Sequence, residues 1–173
     1  MKFLRMNIAS ASLALALATG SIALGGDKDN AALAKAPAAV QAAAKKALGD
    51  KKLEEFGKES IGGKIVYEVG FKADGVDHAY IISEAGELVQ EEADVDVAKL
   101  PAAVLATVKK AQPHGKIDEA AMATAGDKHF YEVDVKVGKE IHAIKVALDG
   151  KLIADEIEKP LKDGDKPDAK EKD

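Results

Sequence analysis

The sequence predicts an α+β fold of two tandem repeats, each one helix followed by a four-stranded antiparallel meander with the helix packed on one face. Three observations predict it. The chain carries an internal duplication, each copy opens on a Pro-led Ala-rich segment, and each continues into runs that alternate apolar and polar residues. Shifting the sequence by 64 residues aligns 34–97 with 98–161 without a gap, giving 23 identities in 64 positions. Pro37-Ala38-Ala39-Val40 falls on Pro101-Ala102-Ala103-Val104, Tyr67-Glu68-Val69 on Tyr131-Glu132-Val133, and His78-Ala79 on His142-Ala143. Ala and Lys bias cannot align Pro, Gly, Tyr and His in one register, so the two stretches are read as copies of one unit.

The first element of each copy is the helix. Pro suits a first helical turn, where the missing N–H costs nothing, and the Ala-rich segments that follow have high helix propensity until Gly49 and Pro113. Leu100, Val104, Val108 and Ala111 recur at helical spacing and mark a buried stripe. Short strands are expected over 53–59 and 117–124.

The central hairpins give the strongest signal. His129, Tyr131, Val133, Val135 and Val137 alternate with Lys128, Phe130, Glu132, Asp134 and Lys136 up to the Gly138-Lys139 turn, and His142, Ile144, Val146 and Leu148 alternate with Ile141, Ala143, Lys145 and Ala147 after it. Pairing across the turn sets Val135 opposite His142, Val133 opposite Ile144 and Tyr131 opposite Val146, so the apolar sides coincide. It also sets Glu132 opposite Lys145, an opposite-charge pair on the other side. The first copy repeats the pattern around Asp74-Gly75. Ala85-Gly86 and Asp149-Gly150 then turn the chain into last strands over 87–93 and 151–157.

The ends read differently. Lys2 and Arg5 precede an uncharged Ala/Leu-rich stretch, Ile8 to Ala18. Small residues at −3/−1 spacing follow, either Ala16 and Ala18 or Ser21 and Ala23. Residues 1–23 are therefore expected to be a bacterial signal peptide, and the mature chain to be periplasmic or secreted. The segment 162–173, rich in Lys, Asp and Glu, is expected to be a disordered solubilising tail.

Composition narrows the function. The 173 residues are 47% hydrophobic and only 4% aromatic, with no Cys and a net charge of -5. Without Cys there is no thiol nucleophile, disulfide or cysteine-ligated metal. The acidic balance argues against nucleic acid. Arg5 is the one arginine, so a processed chain has no guanidinium to clamp an anion. There is no Gly-x-Ser-x-Gly elbow, His-Glu-x-x-His or phosphate loop, and no enzyme, cofactor or metal site is expected.

Tyr131-Glu132-Val133-Asp134-Val135, followed by Leu148-Asp149-Gly150-Lys151-Leu152, resembles the PepSY-like domain family. Two such units in tandem resemble the architecture of the β-lactamase inhibitor protein. The resemblance implies an exported, non-catalytic module that binds or inhibits another protein, peptidases among the targets. Its aromatic-poor sheet lacks the anchors that usually dominate tight interfaces.

Among candidate sites, His78, His142, Tyr67 and Tyr131 are expected to pack under the helices, while His114 lies in a loop. Asp94, Asp96, Asp163, Asp165 and Asp168 do not form an EF-hand loop. The side of each sheet away from the helix holds the functional potential. Val66, Glu68, Ile81, Phe130, Glu132, Ile141 and Lys145 are the candidate protein-binding face, apolar groups rimmed by charge. The partner is expected to be another envelope or secreted protein, with no nucleic acid and, after signal cleavage, no membrane. The alternative is an envelope protein that binds a small ligand or a divalent cation through its acidic groups.

Overall fold

The computed structural model describes residues 26–160, and the expected signal peptide and charged tail lie outside them. Two helices, α1 (Gly26–Leu33) and α2 (Ala38–Leu48), precede strands β1 (Leu53–Ile61), β2 (Lys64–Ala73), β3 (Val76–Ser83) and β4 (Leu88–Asp94). A short 3-10 turn and α3 (Ala102–Ala111) lead into β5 (Lys116–Ala125), β6 (Lys128–Val137), β7 (Glu140–Ala147) and β8 (Leu152–Pro160). Among the described residues no helix is long and apolar enough to cross a membrane.

The expected fold class is corrected at the level of the sheet. The chain does not form two units of one helix over an open meander. Among the described residues, eight strands run in sequence order around one closed antiparallel barrel, mostly sheet with three helices outside it. β4 pairs with β5 through Glu91–Thr124 to Asp94–Ala121, and β8 returns to β1 through Glu59–Pro160, Ser60–Lys159 and Ile61–Glu158. Alternation identifies strands and hairpin partners, but these two pairings join strands far apart in the sequence or across a helix. No local pattern specifies them.

Locally the elements follow from their residues. Pro37 and Pro101 sit one position before their helices, with extended ψ of 143° and 141°. Asp74 and Gly75 both take positive φ, 51° and 79°, which suits a tight hairpin whose twist matches the strands. The β6–β7 register sets Val135 opposite His142, Val133 opposite Ile144 and Glu132 opposite Lys145.

The outer side of the barrel is the hydrophobic core. Under α2, Val40, Ala44 and Leu48 meet Phe56, Tyr67, Val69, Phe71 and Ile82. Under α3, Val104 and Val108 meet Val133, Val135, Ile144 and Val146. Two glycines set how closely helix and sheet approach. A Cβ at Gly86 would lie 2.7 Å from the Ala39 carbonyl oxygen, and one at Gly150 would lie 2.7 Å from Ala103 Cβ. Both have positive φ, so a side chain is excluded by conformation as well as by space. Thr107 Oγ1 donates to the Gly150 carbonyl at 2.6 Å, fastening α3 to the β7–β8 turn.

Candidate functional site

Because side chains alternate along a strand, the residues between the core positions point into the barrel. The inner surface is built from carboxylates, alanines and a few larger apolar groups. Glu59, Glu68, Glu92, Glu132, Asp134 and Glu158 are all buried there, joined by Gln90 and the half-buried Lys145 and Glu156. The alanines make room for them. Ala79 stands opposite Glu92, Ala121 opposite Glu132, and Ala143 between Asp134 and Glu156. Val66, Ala79 and Ile81 form a small apolar cluster on the same side, with Ile61 packed against it.

A polar network links several strands. Gln90 Nε2 donates to Glu92 Oε1 at 2.6 Å and to Glu132 Oε2 at 2.7 Å. Lys145 Nζ lies 2.8 Å from Glu156 Oε2 and 3.8 Å from Glu132 Oε2. Burial opposes the charge on Lys145, but the carboxylates of Glu132, Glu156 and Glu92 outweigh it and raise its pKa above the ordinary lysine value. Lys72 pairs with Asp77, and Lys136 with Asp118 at 2.6 Å.

Glu59 has the opposite environment. Burial, then the charge of Glu158 and a hydrogen bond with it, then Glu68 and Glu92, push its carboxyl well above the usual carboxylate range. Glu59 therefore holds its proton more tightly than an ordinary carboxyl, on the strand that pairs with the one carrying Glu158.

The seven residues expected to form an outward protein-binding face are placed on this inner surface. Val66, Glu68, Ile81, Phe130 and Glu132 are buried, while Ile141 and Lys145 are half-buried. They do share one continuous side of the sheet, but the barrel closes over it. Glu68 and Glu132, expected as exposed cross-strand charges, are 4% and 1% exposed. Sequence reasoning missed Glu59, Gln90, Glu92, Glu156 and Glu158. The available signal was the placement of Ala directly across from acidic residues, a small-against-large pairing that fills a barrel interior.

The remaining candidates stand apart from this surface. His78 stacks on Phe71 with ring centroids 5.3 Å apart. His142 Nδ1 lies 2.7 Å from Asp155 Oδ1 and 3.0 Å from Gln112 Nε2, an arrangement joining the end of α3 to β7 and β8. Tyr67 is buried against Phe56, Tyr131 is half-buried, His129 meets Thr124 and His114 is exposed. Asp96 accepts from the Ala98 backbone N–H as the cap of the 3-10 turn. Among the described residues, no three His, Asp or Glu side chains are grouped so as to hold a metal ion.

No family model matches the chain, and no curated protein matches it. Among solved structures it is similar to a DUF2874 family protein of Bacteroides uniformis, with 18% identity and a TM-score of 0.46 over 72% of this chain and 89% of that one. A Bacteroides eggerthii protein provisionally assigned to the periplasm gives 17% identity and a TM-score of 0.46 over 70% and 88%. A BLIP-like protein of Bacteroides fragilis gives 18% identity and a TM-score of 0.44 over 78% and 94%.

Proposed function

We propose that the protein is an exported, non-catalytic binding module, and that its inner sheet surface takes a positively charged group of a protein partner. The observation that carries this reading is the make-up of the inner surface. Buried carboxyls, Glu59, Glu68, Glu92, Glu132, Asp134 and Glu158 among them, line it together with Gln90 and Lys145, beside an apolar cluster of Val66, Ala79 and Ile81. A barrel interior needed for stability alone is better filled with apolar groups, because buried charge carries a desolvation penalty that pairing repays only in part. An excess of carboxylates over ammonium groups fits a basic side chain, and the apolar cluster fits its methylene stem. The PepSY-like, inhibitor-type reading of the repeats belongs to the same proposal, with the grip moved from an open face to the barrel interior.

The test is titration calorimetry of the purified protein with a lysine-rich peptide and with a glutamate-rich peptide of equal length. The reading expects heat from the basic peptide alone, weakened by salt and by Glu92→Gln with Glu132→Gln. Absence of binding to both peptides, or equal binding of both, overturns it. Calcium and zinc provide the arm for the second reading. A ligand at 100 times its dissociation constant adds about 2.7 kcal/mol to stability, so a raised melting midpoint with either ion would support an ion-binding role.

A further inference from the structure

On the outer wall, from β2 across to β5, the first repeat has a cleft of about 340 Å³ that the second repeat lacks the residues to form. Its floor is aromatic. Phe71 on β2 stacks on His78 of β3 with ring centroids 5.3 Å apart, and Tyr80 leans on Phe71 at 4.7 Å. Lys51, in the loop after α2, holds its ammonium 5.2 Å from the centre of the Phe71 ring, within range of the ring's attraction for a cation. Glu91 stands opposite Tyr80 on β4, and Met122 of β5 stands across from Ala93.

The duplication supplies the comparison, because residues 64 apart occupy equivalent places. Gly115 stands in the place of Lys51 and Val135 in that of Phe71, and the two are pressed together: a Cβ at Gly115 would run into Val135 Cγ1. Ala73 and Ala93 correspond to the larger Val137 and Ile157. Tyr80 corresponds to Ile144, which is fully enclosed in the core under α3. Asp155, the counterpart of Glu91, lies 2.7 Å from His142 Nδ1 and accepts from Gln112 Nε2 at 2.7 Å. The counterpart of Gln112 is Leu48, which cannot make that bond. The first repeat therefore keeps the histidine and differs around it by more rings, more space and two uncommitted charges. Among the described residues neither the Lys51 ammonium nor the Glu91 carboxylate makes an ion pair or a hydrogen bond.

Phe71 and Glu91 are two strands apart, about 10 Å across the sheet, so the ammonium over Phe71 and the Glu91 carboxylate flank the cleft from opposite sides. A simple cation is repelled by Lys51 and a simple anion by Glu91, whereas a ligand carrying both charges pairs with each. We infer that the cleft is a binding site for a zwitterionic α-amino acid with an apolar side chain. Lys51 takes its carboxylate, Glu91 takes its ammonium, and the side chain lies against Tyr80 and Met122. The cleft volume is at the small end of the range for ligand pockets, as a ligand of this size requires. Exposed ion pairs are weak, so the aromatic floor supplies contact area and the two charges set orientation and selectivity. The site is on the outer wall and does not depend on the inner surface being a binding face.

The experiment follows the Met122 methyl resonance of the full-length protein by NMR, assigned with Met122→Leu, during titration with three probes. L-Phenylalanine carries both charges, its amide lacks the carboxylate, and N-acetylphenylalanine lacks the ammonium. The site expects a saturable shift with phenylalanine and at least about tenfold weaker binding of each blocked analogue. Lys51→Met should remove the preference for phenylalanine over the amide, and Glu91→Gln the preference over the N-acetyl form. Both side chains are exposed, so the fold tolerates the changes. Tyr80→Ile, which installs the residue of the second repeat, should weaken all three probes together. The absence of a saturable shift with phenylalanine, equal binding of the three probes, or preferences that survive Lys51→Met and Glu91→Gln would overturn the site.

Discussion

The two sides of the same eight strands obey different rules. The outer side is apolar and covered by helices, with Val40, Val104, Ile82 and Ile144 fully enclosed. The inner side is enclosed to a similar degree, yet it carries Glu59, Glu68, Glu92, Glu132, Asp134 and Glu158. Equal burial therefore does not mean equal contribution to stability. The outer side supplies the favourable term through removal of apolar area from water. The inner side imposes a desolvation cost that is offset locally by Gln90 and Lys145, and on the proposed reading its carboxyls are what a basic partner would meet.

The comparison breaks most visibly at the outer core. Ile144→Ala should cost about 2–5 kcal/mol by loss of transfer energy and creation of a cavity, read as a fall in the urea midpoint. It should leave the binding of a basic peptide unchanged wherever the protein remains folded. A loss of well under 1 kcal/mol would show that the outer side is not the main support.

The inner network gives the next effect. Lys145→Met leaves Glu132 and Glu156 without their ammonium and should cost about 2–3 kcal/mol, less than a fully buried pair because Lys145 is 17% exposed. Replacing Lys145, Glu132 and Glu156 together by apolar residues should recover most of that loss and abolish binding of basic peptides. Urea melts of the single and triple variants measure the difference. Failure of the triple variant to recover would mean that the network supports the fold in its own right.

Glu55 sharpens the comparison through pH. Burial, with Asp29 beside it, pushes its carboxyl up to about 7 from an ordinary 4.5. A raised acid binds more protons in the folded than in the unfolded state, so its contribution falls as pH rises from 4.5 to 7 and is constant above. Glu55→Gln should accordingly stabilise the protein at about pH 8 by roughly 1–2 kcal/mol, after discounting for partial exposure, and do little at about pH 4. Urea midpoints at the two pH values check it, and equal effects would contradict the assignment. Glu59→Gln carries the same sign.

The smallest effect belongs to the exterior of β8. Ile153 is 54% exposed, so Ile153→Ser should change stability by less than about 0.5 kcal/mol and leave basic-peptide binding intact. A loss of binding there would move the site from the inner surface to the outer wall.

The hairpins were legible because a hairpin is decided locally. The turn at Gly138-Lys139 and the alternation on either side fix Val133 against Ile144, and the barrel has that pairing. The helix stripe of Leu100, Val104 and Val108 was legible for the same reason. The inner surface was grouped but misplaced. Glu68, Glu132 and Lys145 alternate with apolar residues in the pattern of a solvated sheet face, and the alternation does not distinguish water from a barrel interior. The deciding information lies in two distant pairings, β4 with β5 and β1 with β8, and in the alanines opposite the acids.

The most direct measurement is the affinity for a lysine-rich peptide of the parent protein and of the variant carrying Glu92→Gln and Glu132→Gln together, two substitutions on the inner surface. The account expects binding by the parent that the double variant loses. Equal affinity in both would contradict it.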